Sequence, residues 1–474
     1  MQGVGRTNSS EEVLRKEERA KGFASQIWYV GKGMEGRMPN KFQVKLREGL
    51  SPCSASQDRE CSIKSDAEFI QKTCQGKQEG GRGKKRKWYT LIDKVYDKRN
   101  LRKAWVKVKE NGGSPGVDGT TIEKFEENLE ENLQNLRNEL AAKTYVSQSL
   151  RRVAIPKPNG KQRILGIPTV RDRVVHQAIA QIIYPIFHPW FERCYGYVEG
   201  RSAADAIWFI RMLIEQGYVY AVEADIKGCF DNIEHRKLLR TLNVEIADGS
   251  LLRLIQAILR SGAMNCDVFL EELIGTPQGS PLSPLLANIY LVALDKGFDK
   301  RKVIVRYADD FVILTRTKEE AEEALKQAEE ILGGVKLSLN LEKTRISHIS
   351  EGWEFLSFRI KKRYAVPTWK SIKKFKAEVR SLTMRHATWK TDEMIRQLNR
   401  YVVGWSNYFR IGNVKTLFWK LGQYIIIRVR KYITKKPWLT DLHRKIPFET
   451  LYRLGLVLPS NLLKTSTGWK SRMP

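Results

Sequence analysis

Two acidic interruptions of apolar strands constrain this chain more than any other feature: Val222-Glu223-Ala224-Asp225-Ile226 and Val305-Arg306-Tyr307-Ala308-Asp309-Asp310-Phe311-Val312-Ile313. A carboxylate among buried strand residues is costly unless a cation meets it. A divalent metal meets that need with the fewest groups. With Asp225 at the end of one strand and Asp309 and Asp310 at the tip of a neighbouring hairpin, three carboxylates converge where two Mg²⁺ ions about 4 Å apart would fit. Such a pair serves in-line attack of a hydroxyl on a phosphate and steadies a leaving pyrophosphate. An isolated Asp-Asp ordinarily marks a surface turn. Here a second strand carboxylate, a basic hairpin and a polar loop in the same chain favour the metal reading.

The 474 residues include 83 Lys+Arg against 53 Asp+Glu, a formal charge of +30, and 42% are hydrophobic, enough apolar material for two or three packed domains. No stretch approaches the roughly twenty apolar residues of a membrane span, and Met1 to Ser10 lacks an apolar signal-peptide core, so neither an integral membrane protein nor a secreted one is expected. Cys53, Cys61, Cys74, Cys194, Cys229 and Cys266 form no C-x-x-C pair, which argues against a zinc site or a disulfide framework and points to a reducing compartment; a bacterial-type cytoplasm is expected, with an organelle as the alternative. The excess charge implies a polyanionic partner. From Arg359 to Pro474 there are 27 basic and five acidic side chains, a local excess of +22, and six of the twelve Trp. Basic residues interleaved with aromatics suit nucleic acid, cations meeting phosphates and rings stacking on unpaired bases.

Residues 1–87 are polar, without sustained periodicity, and read as a poorly ordered arm ending in the basic run Lys84 to Lys87. Thr120 and Glu123 form a capping box that predicts one amphipathic helix through Leu140, after a loop from Asn111 to Gly119. Arg152–Pro156 and Arg163–Pro168 predict two strands joined by a Lys157–Lys161 turn, followed by helices over Val170–Ile186 and Ala203–Gln216. A strand is expected at Val219–Asp225, helices at Glu234–Leu242 and Gly249–Ser261, a strand pair flanking Glu271-Glu272, and a helix from Ser283 to Asp295. Val303–Thr315 reads as a buried hairpin. Thr317 and Glu320 cap a helix that Gly333-Gly334 ends, and the remainder is helical, notably around Ile395–Phe409 and Val414–Ile425. Glu223 and Asp231, pointing away from Asp225 or sideways, are expected to be structural, Cys229 to be a small packing residue, and the six scattered His to form no catalytic cluster.

Tyr307-Ala308-Asp309-Asp310 resembles the Y-x-D-D signature of reverse transcriptases, and Asp225 with Phe230 resembles their first palm motif. Gly275 to Asn288 is similar to the family's P-Q-G loop, Ile155-Pro156-Lys157-Pro158 with Arg163 to its fingers hairpin, Leu339 to Thr344 to the segment offering a Lys near the pyrophosphate, and Phe355-Leu356-Ser357-Phe358 to its primer grip. All fall in the family's order. The resemblance implies that Asp225, Asp309 and Asp310 hold two Mg²⁺ ions and are catalytic, that Lys157, Arg163 and Lys343 handle the triphosphate, and that Gln278 supports the nascent pair. Phe230 would lie beneath the sugar and clash with a ribose 2′-hydroxyl, selecting dNTPs.

Within that family the chain resembles the group II intron-encoded proteins over about residues 88 to 435. Asn111–Gly119 is similar to their G-x-D-G loop, and Leu398 to Phe409 to the G-W-x-x-Y-F helix of their thumb, or maturase, domain. Arg201, Arg400, Trp405, Tyr408 and Arg410 are then expected to meet nucleic acid. The implied fold is α+β: a right-hand polymerase with fingers (88–210, including an N-terminal extension) and palm (211–360), a helical thumb/maturase domain (361–435), and a basic tail (436–474) that is a candidate DNA-binding segment. Implied partners are group II intron RNA, a template–primer duplex, target DNA and dNTPs, with no membrane. The chain departs from the family at Val198 and Glu199, where R-P is common, and at Ser280, where Gly is common; the H-N-H endonuclease of many relatives is not expected. The alternatives are a reverse transcriptase recruited to host use, in phage defence or CRISPR adaptation, and a non-enzymatic splicing chaperone.

Overall fold

The computed structural model describes residues 87–156, 162–263, 279–385, 387, 389–435 and 442–463. The arm over 1–86, the Lys157–Lys161 turn, the strands flanking Glu271-Glu272, Gln278 and residues 436–441 and 464–474 of the basic tail lie outside the described residues.

Helices α1 (Ile92–Val95) and α2 (Lys98–Asn111) open the described chain, and the single helix expected after them is two. Thr121, not Thr120, is the cap, its hydroxyl accepting from the Lys124 amide at 3.2 Å. Helix α3 (Ile122–Glu127) stops at Asn128 and α4 (Leu129–Ala142) resumes at once, with the Asn132 amide donating to the Phe125 carbonyl. The apolar stripe survives the break: Ile122, Phe125, Leu133, Leu136 and Leu140 are all buried. The β1 (Arg151–Pro156) and β2 (Gln162–Ile167) hairpin is antiparallel. Helix α5 (Val170–Phe187) is buried nearly all round, taking Asp172, Arg173 and His176 into the interior with its apolar residues. Buried Arg173 on it reaches the Pro168 and Gly112 carbonyls at 3.2 and 3.3 Å, and that of Ser114, pinning the Asn111–Gly119 loop.

After α6 (Ala203–Glu215) comes β3 (Tyr220–Asp225), then α7 (His235–Glu245), α8 (Gly249–Ala263), α9 (Ser283–Tyr290), α10 (Val292–Lys296), the β4 (Val303–Tyr307) and β5 (Asp310–Thr315) hairpin, α11 (Lys318–Gly334) and β6 (Arg345–His348). The helix expected over Ser283–Asp295 thus divides at Leu291. Both halves of the Thr317–Glu320 capping box are formed, but Gly333 and Gly334 stay helical and Lys336 takes the left-handed position (φ 55°). The four strands order β4-β5-β3-β6, antiparallel throughout. Alternation divides their side chains between two cores: Val222, Ala224, Ile304, Phe311 and Ile313 on one face, Ala221, Val303, Val305, Val312 and Leu314 on the other. A sheet covered on both faces accounts for strands that read as unbroken apolar runs.

A second antiparallel sheet, β7 (Trp353–Phe355), β8 (Phe358–Lys361) and β9 (Tyr364–Pro367), leads into α12 (Trp369–Leu382), α13 (Thr391–Phe409), α14 (Lys415–Thr434), α15 (Leu442–Lys445) and α16 (Phe448–Arg453). These helices enclose a third core around Phe375, Leu398, Val402, Leu421 and Ile425. Trp405 touches both the second and third cores, so it joins the helices to the sheets.

Candidate active site at the end of the central sheet

Asp225 lies directly opposite Asp310 in the β3–β5 register, and residues paired across antiparallel strands share a face. That face is the one lined further along by Val312 and Leu314. Asp309 sits in the two-residue turn between Tyr307 and Asp310, its carbonyl accepting from the Ile226 amide at 3.3 Å. Lys343 Nζ is 2.7 Å from Asp225 Oδ2, and Asn340 Nδ2 donates to the same oxygen at 3.2 Å. Burial opposes the Lys343 charge, but Asp225, Asp310 and Asp309 outweigh it and raise its pKa. Loss of solvation at the Asp310 carboxyl, then repulsion from Asp309 and bonding to Asp225, push its pKa up to about 7, although part of the residue stays open to solvent. The cluster is therefore short of positive charge. Among the described residues no three His, Cys, Asp or Glu side chains close on one point as a ready-made ion cage. The all-oxygen donor set nevertheless fits a hard divalent cation, and the Lys343 ammonium already stands where one is wanted.

The turn that presents Asp309 is held from beneath. Ala308 adopts φ +59°, a conformation disfavoured for an L side chain. Arg306, wholly buried and on the opposite face from Asp310, donates to the Ala308 carbonyl at 3.0 Å and to Asn288 Oδ1 at 2.9 Å, while a two-bond ion pair of 2.6 and 2.5 Å ties it to Asp295. Asn288 in turn donates to the Gly196 carbonyl, and a Cβ at Gly196 would lie 2.6 Å from the Ala308 amide nitrogen, which is why a glycine stands there. Sequence reasoning passed over Arg306, Asp295 and His176. Buried His176 meets Ser280 Oγ at 2.8 Å, anchoring the residue after Gly279, and burial drops its pKa to about 4, keeping it neutral. The signal for Arg306 was present: a lone Arg in an apolar strand requires a buried carboxylate.

Glu223 is a correction. Two residues before Asp225, it shares that residue's face rather than turning away, and it is kept out of the cluster by Arg345, at 3.0 and 2.7 Å, and by the Glu354 amide at 2.8 Å. Phe230 is half-buried in the short turn after Gly228, and burial first, then Asp309, pushes the Cys229 thiol up to about 12, as for a packing residue. Arg163 pairs with Ile155 in the β1–β2 hairpin, but its side chain, like Lys157 and Gln278, lies outside the described residues. Arg201 is braced internally on the carbonyls of Phe191, Glu192 (3.0 Å) and Cys194 (2.8 Å), and Val198 packs into the core. The Trp405 ring sits among Phe375, Phe409 and Phe418, with centroids 4.5, 4.6 and 5.9 Å away, and the Tyr408 hydroxyl donates to the Leu356 carbonyl at 2.9 Å. Arg400 is exposed and Arg410 partly so. Trp369 and Trp419 are open instead, 72% and 59% exposed, as is Tyr452 further along.

Residues 155–360 match the family model described as reverse transcriptase (RNA-dependent DNA polymerase), and residues 372–445 match the group II intron, maturase-specific domain. Protein YkfC of Escherichia coli is 32% identical over 288 residues, covering 52% of this chain and 76% of that one. The group II intron-encoded protein LtrA of Lactococcus lactis is 31% identical over 317 residues, covering 52% of each chain, so this chain spans about half of that relative's length. A solved telomerase from Candida albicans aligns over 73% of this chain and 69% of its own at 11% identity, with a TM-score of 0.38, too loose to build on. Among the described residues no helix is long and apolar enough to cross a membrane.

Proposed function

The chain belongs to the group II intron-encoded reverse transcriptases, and on that premise we propose that it copies RNA into DNA from a primer 3′-hydroxyl and binds its intron RNA as a splicing maturase. The observation that carries the polymerase reading is the register pairing of Asp225 with Asp310, Asp309 in the adjoining turn and Lys343 alongside. A reverse transcriptase domain depends on a divalent metal; Mg²⁺, held by Asp225, Asp309 and Asp310, would supply the charge that lowers the cost of hydroxyl attack on the α-phosphate. Lys343, beside Asp225, would face the leaving pyrophosphate. Lys157 and Arg163 would bind the triphosphate, and Gln278 the nascent pair. Target DNA as the substrate for intron mobility belongs to the same proposal, as do Arg400 and Arg410 as phosphate contacts.

Phe230 would discriminate sugars by excluding a 2′-hydroxyl. Phe230→Val should raise the use of rNTPs relative to dNTPs by ~10- to 100-fold, measured as the ratio of kcat/KM values in primer extension on an RNA template. An unchanged ratio would remove Phe230 from this role. The splicing half is tested on the neighbouring intron RNA: the purified chain should accelerate its self-splicing at low Mg²⁺, and no acceleration contradicts the maturase reading.

A further inference from the structure

The hairpin between β7 and β8 turns through Leu356 and Ser357, because Phe355 and Phe358 are the last paired residues. Both turn residues are left-handed, φ 49° and 64°. Two-residue hairpin loops of this kind are normally built from Asn-Gly, since other L side chains resist the conformation. Here Leu356 gives its side chain to the same core as Tyr307, Trp405 and Tyr408, so packing keeps a residue the backbone disfavours. Strained turns of this sort persist only where their surroundings over-determine them.

Both carbonyls of the turn are held from outside it. The Thr368 amide donates to Ser357 at 2.9 Å, and the Tyr408 hydroxyl, from α13, donates to Leu356 at 2.9 Å. The Tyr408 ring is already packed by Phe358 and Phe409, with centroids 5.7 and 4.7 Å away, so a phenylalanine would satisfy that packing but would leave the Leu356 carbonyl without this donor. Burial, then the nearby Tyr307 and Asp310, raise the hydroxyl's pKa, which keeps it a donor. The turn also lies on the Asp225–Asp310 face of the central sheet: Leu356 shares a core with Val312 and Leu314, and the Glu354 amide bonds Glu223, two residues from Asp225.

We propose that the Tyr408 hydroxyl is a positioning group for polymerisation, holding the strained Leu356–Ser357 turn beside the carboxylate cluster and so tying a maturase-region helix to the polymerase site. The inference rests on the polymerase reading above. Tyr408 touches no reacting atom in this role; it acts through the turn.

The test compares Tyr408→Phe in two backgrounds, the native turn and one carrying Leu356→Asn with Ser357→Gly, which adopts the left-handed form unaided. In the native turn, removal of the hydroxyl should lower primer extension on an RNA template about three- to ten-fold at saturating dNTP, with KM for dNTP shifted less than about two-fold. In the Asn-Gly background the same removal should cost less than about two-fold. Hydrogen exchange at the 356–358 amides should quicken in Tyr408→Phe and be insensitive to it in the Asn-Gly turn. Equal losses in both backgrounds, or no loss in either, overturn the proposal. Should the unsubstituted chain fail to extend a primer, the polymerase reading itself fails, and the exchange experiment alone then decides whether Tyr408 governs the turn: unchanged exchange overturns it.

Discussion

Replacing Asp309 with Asn is expected to lower DNA synthesis on an RNA template by ~10³-fold or more while leaving splicing assistance within about two-fold of the unsubstituted chain. The size of the loss follows from the electrostatics. Among the described residues Lys343 is the ammonium bonded to the cluster, and the loss of solvation, with repulsion from Asp309 behind it, that lifts Asp310 to about pKa 7 marks a site that wants more positive charge than these residues supply. Removing one carboxylate weakens the hold on a divalent ion where the reacting phosphates gather. The fold should not suffer: Asp309 contributes its backbone carbonyl to Ile226, which Asn retains, and relief of repulsion should leave the melting temperature unchanged or slightly higher. Loss of splicing assistance together with synthesis would mean that the carboxylates serve architecture; retention of both would overturn the catalytic assignment and favour a non-enzymatic chaperone.

The largest stability effect is expected at Arg306. Arg306→Met strands the Asp295 carboxylate in the core and costs about 3–5 kcal/mol, because an unpaired buried charge retains its full desolvation penalty. It also frees the Ala308 carbonyl and Asn288, so the turn that presents Asp309 loses its support. Pairing Arg306→Met with Asp295→Leu removes both charges and should recover most of the stability, since apolar replacements of buried ion pairs are often neutral or better. DNA synthesis should stay low in the double variant, because no donor to Ala308 has been restored. Denaturant midpoints and primer extension on the same preparations separate the two effects. Recovery of synthesis along with stability would show that the ion pair merely holds the fold together.

Asp225 and the Asp309-Asp310 tip were legible because a charge inside an apolar strand contradicts the local pattern, and contradictions of that sort mark sites. The strands themselves were legible from their apolar runs. What lay opposite them was not: Asp295 and Asn288 sit on helices whose approach to Arg306 depends on how three elements pack, and no periodicity encodes that. Basic and aromatic composition identified the C-terminal region correctly as unusual but could not tell inward from outward. Trp405 is enclosed among phenylalanines and Arg201 bonds three carbonyls of its own loop, whereas Trp369 and Trp419, which carried no motif, are open. The break at Asn128 escaped notice because the chain resumes its helix in phase, so the apolar stripe reads as continuous. Glu223 was misplaced by an error of parity, since residues two apart on a strand share a face.

The central claim is that the end of the central sheet polymerises DNA on RNA. It is tested most directly by incubating the full chain with a labelled DNA primer annealed to an RNA template, dNTPs and Mg²⁺, and following primer length. Extension to the template end that ceases on chelation of the divalent ion is the predicted result. A full chain that leaves the primer unextended with Mg²⁺ and with Mn²⁺ contradicts it.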